Sequence, residues 1–513
     1  MSGKSKPTKL QGPKGTRDLY PTEVLKRRYI QNAWRDASLR CGFDEIEGPT
    51  FESTELYSVK SGEGILGELF QAYSGKSPNE VEQVQKTGRA PYALRPEFTP
   101  TLARMYAAHA KQLPRPCKWF TAGPYFRAER PQRGRLREFL QWNVDFLSDN
   151  NTPDGRAQAD TETMLCCIAA LENLGLTHND CKLVAGHRGA MEHLARIQGI
   201  SEERSQKWMQ LIDSRPKMSR EKFIDHALSQ GFSEQDVAEL EYTLQSLSIL
   251  PPHEAATRLV DFMTQKMSVT IDKTASGIMQ DIGTELESII YRMSTQVPEE
   301  WFKLDLYIVR GLAYYTGTVF EALADGERAV AGGGRYDNLI ELMGGPPTPA
   351  VGFAMGDVVL GNLLEDKGLM PEGAELMEAA ARPQASIRPE AFVVPNGDED
   401  NEPLVHTLVA NLRRGVENED WLSRGNRKPW HADRYRVRPL HARVSYKSTR
   451  NLGKLRADAE KQHAKFFVEI HADNKVEITD MDKRESITSD THGSFHVDPS
   501  AENYVGRALS ALC

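Results

Sequence analysis

Between positions 123 and 146 the chain reads GPYFRAERPQRGRLREFLQWNVDF, which places Arg130, Arg133, Arg135 and Arg137 at one tip. Guanidinium forks bind phosphate bidentately, so such a tip suits a polyanionic ligand. The returning segment carries a different chemistry. Side chains alternate faces along a strand, so Leu140, Trp142, Val144 and Phe146 share one face and Gln141, Asn143 and Asp145 the other. Carboxylates and amides hold ammonium groups and ring N–H donors. The pattern recurs: Arg127 with Glu129 in GPYFRAER, and Arg95, Glu97 and Thr99 in YALRPEFT. Arg310 closes the apolar LDLYIV immediately before Gly311. A solvated face explains any one such strand. Several of them, each delivering acid, amide or guanidinium to one side, point to a floor for a polar ligand, such as an amino acid beside a nucleotide. Neither a serine elbow nor a metal-spaced histidine pair is present. The chemistry reads as positioning and charge stabilisation without a covalent nucleophile, and no metal site is assigned.

These residues need elements to hold them. Apolar spacing predicts a helix over 20–41, stopped by Gly42, then an extended FDEIEGPTFE. A second helix is expected over 99–113, opened by Thr99 and Pro100, and an amphipathic third over 160–175, ended by glycine. Two strands flank the arginine tip as a hairpin. From about 190 to 300 helical, charged segments dominate. Strands return at FKLDLYIVRGLAYYTGTVFEAL and ERAVAGGGRYDNLIELMGG. The glycines of AGGGRYDNLI are either a tight turn between strand and helix or a close backbone approach to a ligand. They lack the Lys and Ser/Thr of a P-loop. Beyond a linker near 370–388, strand and helix alternate as in a small α/β domain.

The composition sets outer limits. The 513 residues are 39% hydrophobic and 27% charged, ordinary for a globular chain of two to four domains. No apolar run approaches a membrane span. The basic, polar N-terminus has no signal-peptide core and reads as a disordered tail. Six scattered cysteines lack zinc or disulfide spacing and are expected as buried or partly buried thiols in a reducing cytoplasm. The net charge of −8 gives no global pull on nucleic acid, so any such binding must use local patches. One candidate patch is the basic stretch 424–456, with Trp430, Tyr435 and Tyr446 interleaved.

Taken in order, these motifs resemble the class II histidyl-tRNA synthetases over nearly the whole chain. KGTRDLYP is similar to that family's N-terminal entry, and GFDEIEGPTFE, with Pro49, to the dimer-interface motif 1. FRAERPQRGRLREFLQ resembles motif 2, VRGLAYYTGTVFE the histidine signature, and GGGRYDNLIELMGG…PAVGFAMG the run into motif 3. The last unit resembles the anticodon-binding domain more loosely. The resemblance implies an α+β catalytic domain, a six-stranded antiparallel sheet with helices, plus a C-terminal α/β domain. The expected layout is a disordered tail (1–15), a first catalytic segment with motifs 1 and 2 (16–185), a helical insertion (186–300), a second catalytic segment with the histidine signature and motif 3 (301–370), a linker (371–388) and an anticodon-binding-like domain (389–513). It implies a homodimer without a membrane, acting on L-histidine, ATP with Mg²⁺, and tRNA(His).

Carried over residue by residue, the resemblance implies that Glu97, Thr99 and Gln141 hold the α-amino group of histidine. Asp145 and Tyr315 read its imidazole, and Tyr314 lines the pocket. Arg127 and Arg310 face the α-phosphate from two sides, with Glu129 near the nucleotide. Arg130, Gln132 and Arg133 meet the tRNA end. Some positions depart from the pattern. Asp357, Val358, Val359 and Leu360 stand where motif 3 carries an arginine over adenine, a role Arg335 is a candidate to fill. Ala313 replaces a common Asp, Asp145 a Glu, and Leu140 a His or Tyr. Two other functions share this scaffold: a non-catalytic regulator of ATP phosphoribosyltransferase in histidine biosynthesis, and an RNA-binding paralogue.

Overall fold

The computed structural model describes residues 11–61, 67–215, 218–248, 250–267, 273–309, 314–324, 327–382, 384–396, 401–417, 435–471, 474–487, 495–500 and 504–513. Short strands β1 (Asp44–Glu45), β2 (Phe51–Ser53), β3 (Gln71–Ala72) and β4 (Tyr92–Leu94) precede a long hairpin of β5 (Cys117–Phe126) and β6 (Glu138–Leu147). Strands β7 (Lys182–His187) and β8 (Phe302–Leu304) flank a helical stretch, and β9 (Thr318–Leu323), β10 (Ala331–Arg335) and β11 (Ala350–Gly356) follow. The main sheet runs β1-β5-β6-β11-β10-β9-β7-β8. Its six central strands are antiparallel, as expected. A parallel strand is added at each edge, β1 on β5 and β8 on β7. Strands β2, β4 and β3 form a separate small sheet.

The apolar face of β6 is covered by the helix Pro21–Arg40. Trp34 stacks on Trp142 at 5.9 Å, and Trp142 Nε1 donates to Ser38 Oγ at 3.0 Å. This helix ends where the sequence predicts, with Gly42 at φ 76° and its N–H on the Leu39 carbonyl. The helix expected over 160–175 is longer, Pro153–Asn173. It starts at a Thr152 cap, whose hydroxyl accepts from the Gly155 N–H, with Pro153 in its first turn. It is buried on nearly every side rather than amphipathic, because the sheet lies under one face and the helices Pro21–Arg40 and Lys273–Ser294 pack against it as well. The helix predicted over 99–113 is Thr99–His109, four residues shorter.

Among the described residues six α-helices, Arg188–Ile197 to Lys273–Ser294, stand between β7 and β8. The apolar LDLYIV is strand only as far as Leu304. Asp305 Oδ1 accepts from the Tyr307 N–H at 3.0 Å, and the Asp305 carbonyl from the Ile308 N–H at 3.0 Å, so the chain turns there. AGGG is not a tight turn between strand and helix. It is the central strand β10, between β9 and β11.

The C-terminal unit contains β12 (Ala391–Pro395), a small ribbon of β13 (Val416–Glu417) and β14 (Tyr435–Val437), then β15 (Ala442–Val444), β16 (Phe466–Ile470), β17 (Lys475–Asp480), β18 (Glu485–Ile487) and β19 (Phe495–His496). Its sheet runs β15-β12-β16-β17-β18, with β19 on β17, parallel at the first three strands and antiparallel after them. A buried polar cluster fastens it to the main sheet. Lys118 Nζ reaches Glu162 at 2.5 Å, the Cys41 carbonyl at 2.6 Å and Tyr446 Oη at 3.0 Å, while Tyr446 donates to Glu162 at 2.7 Å. Burial works to raise the Glu162 carboxyl, but Lys118 and Arg413 overcome it and hold it at about 2. Tyr446, an expected RNA-facing aromatic, thus belongs to an interdomain joint. Trp430 lies outside the described residues. Five cysteines are buried and unpaired, and Cys513 is exposed.

Candidate active site

The polar face of β6 is buried, not solvated. Gln141, Asn143 and Asp145 are each 5% exposed or less. They answer one another and their neighbours, as buried polar groups must. Gln141 Nε2 donates to Asn143 Oδ1 at 2.9 Å, and Asn143 Nδ2 to Tyr125 Oη at 3.0 Å. That direction leaves Oε1 as the acceptor atom of the Gln141 amide. Asp145 Oδ1 accepts from the Tyr336 hydroxyl. Burial, with the Asp145 charge beside it, raises Tyr336 well above its ordinary value, which keeps it a donor. Tyr336 is a site residue that sequence reasoning misses, because nothing in one sequence tells which residue of β10's continuation meets β6 across β11.

Glycines make this floor possible. A Cβ on Gly352 of β11 would collide with the Asp145 carboxylate, and one on Gly334 would stand 2.9 Å from the Tyr315 ring. Tyr315 is buried, and half-buried Tyr314 lies 4.6 Å from it between ring centroids and 6.2 Å from Tyr336. Their loop is fixed to β10: the Thr316 N–H donates to the Arg335 carbonyl at 2.8 Å, and Thr316 Oγ1 to Asp337 at 3.2 Å.

Glu97 and Thr99 do not share a strand face with Arg95, since the chain leaves β4 at Leu94. Arg95 is buried and structural, donating to the Pro124 and Gly48 carbonyls at 2.9 and 3.0 Å. Thr99 opens the helix Thr99–His109. Half-buried Glu97 lies within electrostatic reach of Arg127, Tyr57 and Tyr125. Arg127 follows β5, its N–H on the Arg137 carbonyl at 2.9 Å, its Nε on the Pro96 carbonyl at 3.2 Å, and its guanidinium 5.1 Å from the Phe139 ring centroid. Burial lowers this guanidinium from its ordinary value, and Glu97 and Glu129 oppose that shift. Glu97, Arg127, Gln141, Asp145, Tyr314 and Tyr315 therefore gather around Tyr125, Phe139 and Tyr336. Arg310 lies outside the described residues.

The hairpin tip is a turn over Gln132–Arg135. Arg130 and Gln132 are exposed. Arg133 pairs with Glu327 at 2.7 Å and Asp366 at 2.8 Å, and Arg135 with Glu129. Gly15, assigned by sequence to the tail, packs under the hairpin and accepts from the Arg137 N–H at 2.8 Å. At the departure from motif 3, Asp357 ties three elements together. Its carboxylate accepts from Arg17 at 2.6 Å and from the Leu140 N–H at 2.9 Å, at the start of the helix Asp357–Asp366. Val359 is buried beside Gly134. Arg335 does not serve a ligand. It is 1% exposed and bonded to Asp160 at 2.7 Å, Asp337 at 2.9 Å and the Arg156 carbonyl at 2.8 Å. Among the described residues no group of three His, Cys, Asp or Glu is placed to hold a metal, and no helix is long and apolar enough to cross a membrane.

A family model for histidyl-tRNA synthetases matches residues 15–357, ending where the sequence departs from motif 3. A histidine–tRNA ligase of Opitutus terrae is 34% identical over 359 residues, 70% of this chain and 75% of that protein. One of Thermococcus kodakarensis is 32% identical over 394 residues, 76% and 80%. Among solved structures, the histidyl-tRNA synthetase of Nostoc sp. PCC 7120 matches with a TM-score of 0.56 at 19% identity, over 99% of this chain and 100% of that one. An ATP phosphoribosyltransferase regulatory subunit/histidyl-tRNA synthetase of Bacillus halodurans matches with a TM-score of 0.54 at 21% identity, over 91% and 100%. At such identities the structural likenesses speak to the fold alone. With its class II sheet and the sequence relatives at 32–34% identity, the chain belongs to the histidyl-tRNA synthetase family and is an aminoacyl-tRNA synthetase.

Proposed function

We propose that this chain activates L-histidine with ATP and transfers it to the 3′ end of tRNA(His). The observation that carries the reading is the buried acid Asp145 in a tyrosine-walled floor, with amide and carboxylate acceptors on one side and Arg127 at the rim. The Gln141 amide oxygen, Glu97 and Thr99 are the acceptors for the α-ammonium group. Asp145, oriented by Tyr336, accepts from a ring N–H of the imidazole, with Tyr315 and Tyr314 alongside. A competitor without that N–H leaves the buried Asp145 carboxylate one hydrogen bond short, which costs a factor of about 10⁴ or more.

The histidine carboxylate attacks the α-phosphorus of ATP, the bond to the β-phosphate oxygen breaks, and pyrophosphate leaves. Negative charge grows on the α-phosphate oxygens, where Arg127 and, on its other side, Arg310 meet it in a site with little water. Glu129 stays near the nucleotide. A ribose hydroxyl of tRNA then attacks the adenylate carbonyl and AMP leaves, with Arg130, Gln132 and Arg133 around the RNA end. Mg²⁺ comes with the β- and γ-phosphates, since it keeps most of its water and needs few carboxylates from the protein. The unit from 389 onward takes the anticodon side. Phe51 and Tyr92 on the small sheet, 55% and 40% exposed, and Tyr73 just past β3, 47% exposed, support a homodimer in which a second copy covers them.

The test is histidine-dependent ATP–pyrophosphate exchange. Wild-type protein should catalyse it, and Arg127→Ala should lower the rate about 10²–10³-fold while the fold stays intact. Absence of exchange in wild-type protein would favour the regulator or the RNA-binding paralogue.

A further inference from the structure

We propose that the groove between the main sheet and the C-terminal unit is a docking surface for an RNA backbone. The inference rests on the tRNA-charging reading above and adds a place on the molecule that the reading does not supply. The groove encloses about 750 Å³. One wall is the catalytic segment around Asp44 and 112–118, and the other is built from 387–389, 443–447 and 458–463 of the C-terminal unit. Arg115, Lys118, Arg388, Arg443, Lys447 and Lys461 line it against only Asp44 and Asp458. A local excess of positive charge therefore sits in a chain of net charge −8. The chain as a whole exerts no general pull on RNA, so local cationic surfaces such as the hairpin tip and this groove decide where a polyanion settles.

The ion pairs separate a fixed framework from cations left to bind. Arg443 is framework: it joins Asp44 at 2.7 Å across the domain boundary, Gln462 at 3.2 Å and His441 Nε2 at 3.0 Å. Burial, with Arg443 beside it, holds His441 neutral, well below its ordinary value, so Nε2 remains an acceptor and Nδ1 donates to the Ser386 carbonyl at 2.8 Å. Lys118 belongs to the buried joint with Glu162 and Tyr446. The two walls are thus held in one arrangement before any ligand arrives. Arg388 is also held in place, by both oxygens of Asp482 and by the His463 and Ala464 carbonyls, and exposed Lys447 pairs at 3.2 Å with the buried Asp458. Arg115 and Lys461 are exposed and have no ion-pair partner among the described residues. They stand on opposite walls, one on each domain. Cations spread over both walls of so large a groove suit a run of phosphates rather than a single anion, and exposed Ile387 at the rim offers a ribose or base an apolar contact.

The experiment uses the full chain, an unmodified tRNA(His) transcript as probe, and the double substitution Arg115→Ala with Lys461→Ala. Binding is followed through a salt titration. The expected result is about tenfold weaker affinity near physiological salt and a log–log salt slope shallower by about 1.8, since two phosphate contacts release fewer counterions. Histidine-dependent pyrophosphate exchange stays at the wild-type rate. Exchange tests the catalytic reading by itself, and RNA binding tests the groove by itself. Wild-type affinity and slope in the double variant would overturn the proposal. So would a fall in molecular mass by sedimentation, which would assign the groove to a contact between two copies of the chain.

Discussion

Gln141, Asn143 and Asp145 on the sheet floor and Arg130, Arg133 and Arg135 at the hairpin tip lie within one 24-residue stretch, and both sets are polar. The floor residues are buried and hydrogen-bonded to uncharged partners at fixed places, the Tyr125 and Tyr336 hydroxyls and each other. At the tip, the Arg133 side chain is 68% exposed and paired with the acids Glu327 and Asp366. A buried network has one arrangement, because each member left alone would lose its full hydrogen bond with no water to replace it. Exposed ion pairs are screened and easily exchanged. The floor is suited to choosing a small ligand by shape and hydrogen bonds. The tip is suited to trading its acids for phosphates. The arginines make the same contrast: Arg335, enclosed by Asp160 and Asp337, is framework, and Arg133 is exchangeable.

The most damaging way to break the framework side is Arg335→Ala. It leaves Asp160 buried beside Glu285 with its strongest counter-charge gone. Removing one partner of a buried pair typically costs about 3–5 kcal/mol. Chemical denaturation should show a loss of that order. A loss no larger than that of a surface substitution would mean the buried pair is as replaceable as the one at the tip.

Asp145→Ala comes next and sharpens the floor's role. A hydrogen bond to a charged group contributes about 1.5–3 kcal/mol, so the Michaelis constant for histidine should rise about 10–100-fold while that for ATP stays nearly constant. Pyrophosphate exchange at varied histidine and varied ATP separates the two. Equal changes in both constants would make Asp145 a packing residue of β6 and β11 rather than a ligand contact.

Much of this architecture is legible in the sequence, and the misses have physical causes. The alternation from Leu140 to Phe146 and the stop at Gly42 are readable because periodicity and a left-handed glycine leave local marks. The start of the helix Pro153–Asn173 is also marked, by Thr152 and Pro153, but its apolar pattern is plain only from 160 onward. AGGG is unreadable as a strand because glycine has low strand propensity. Its fitness for β10 comes from what lies across the sheet, Phe353 beside Gly333 and Tyr315 beside Gly334. The partners of the predicted site residues, Tyr336 on Asp145 and Tyr125 on Asn143, come from strand order and register. One chain read alone does not contain them. The fate of Arg335 has in part the same origin: Asp337 is only two residues on, but Asp160 lies on the helix Pro153–Asn173 and is brought to it by the fold.

Arg133→Ala should have the smallest effect and is the closest test of the exchange idea. The pairs with Glu327 and Asp366 join the tip to the loop before β10 and to the helix Asp357–Asp366. If they only fasten the tip, removing them loosens it, and histidine activation should suffer along with RNA binding because Arg127 and Glu129 share the hairpin. If the acids are placeholders for phosphate, activation should be untouched, since Arg127 is held independently by the Pro96 carbonyl and the Phe139 ring. The expected outcome is the second. The melting temperature should fall by no more than a few degrees: Asp366 is exposed and replaces its partner with water, while the Glu327 side chain, 8% exposed, carries what cost there is. Pyrophosphate exchange should be unchanged, and the salt slope of tRNA binding should be shallower by about 0.9, one phosphate contact. Glu327→Gln with Asp366→Asn sharpens the comparison from the other side. Freeing Arg133 from its acids should strengthen tRNA binding at low salt, whereas a tip that needs them as anchors would bind RNA less well.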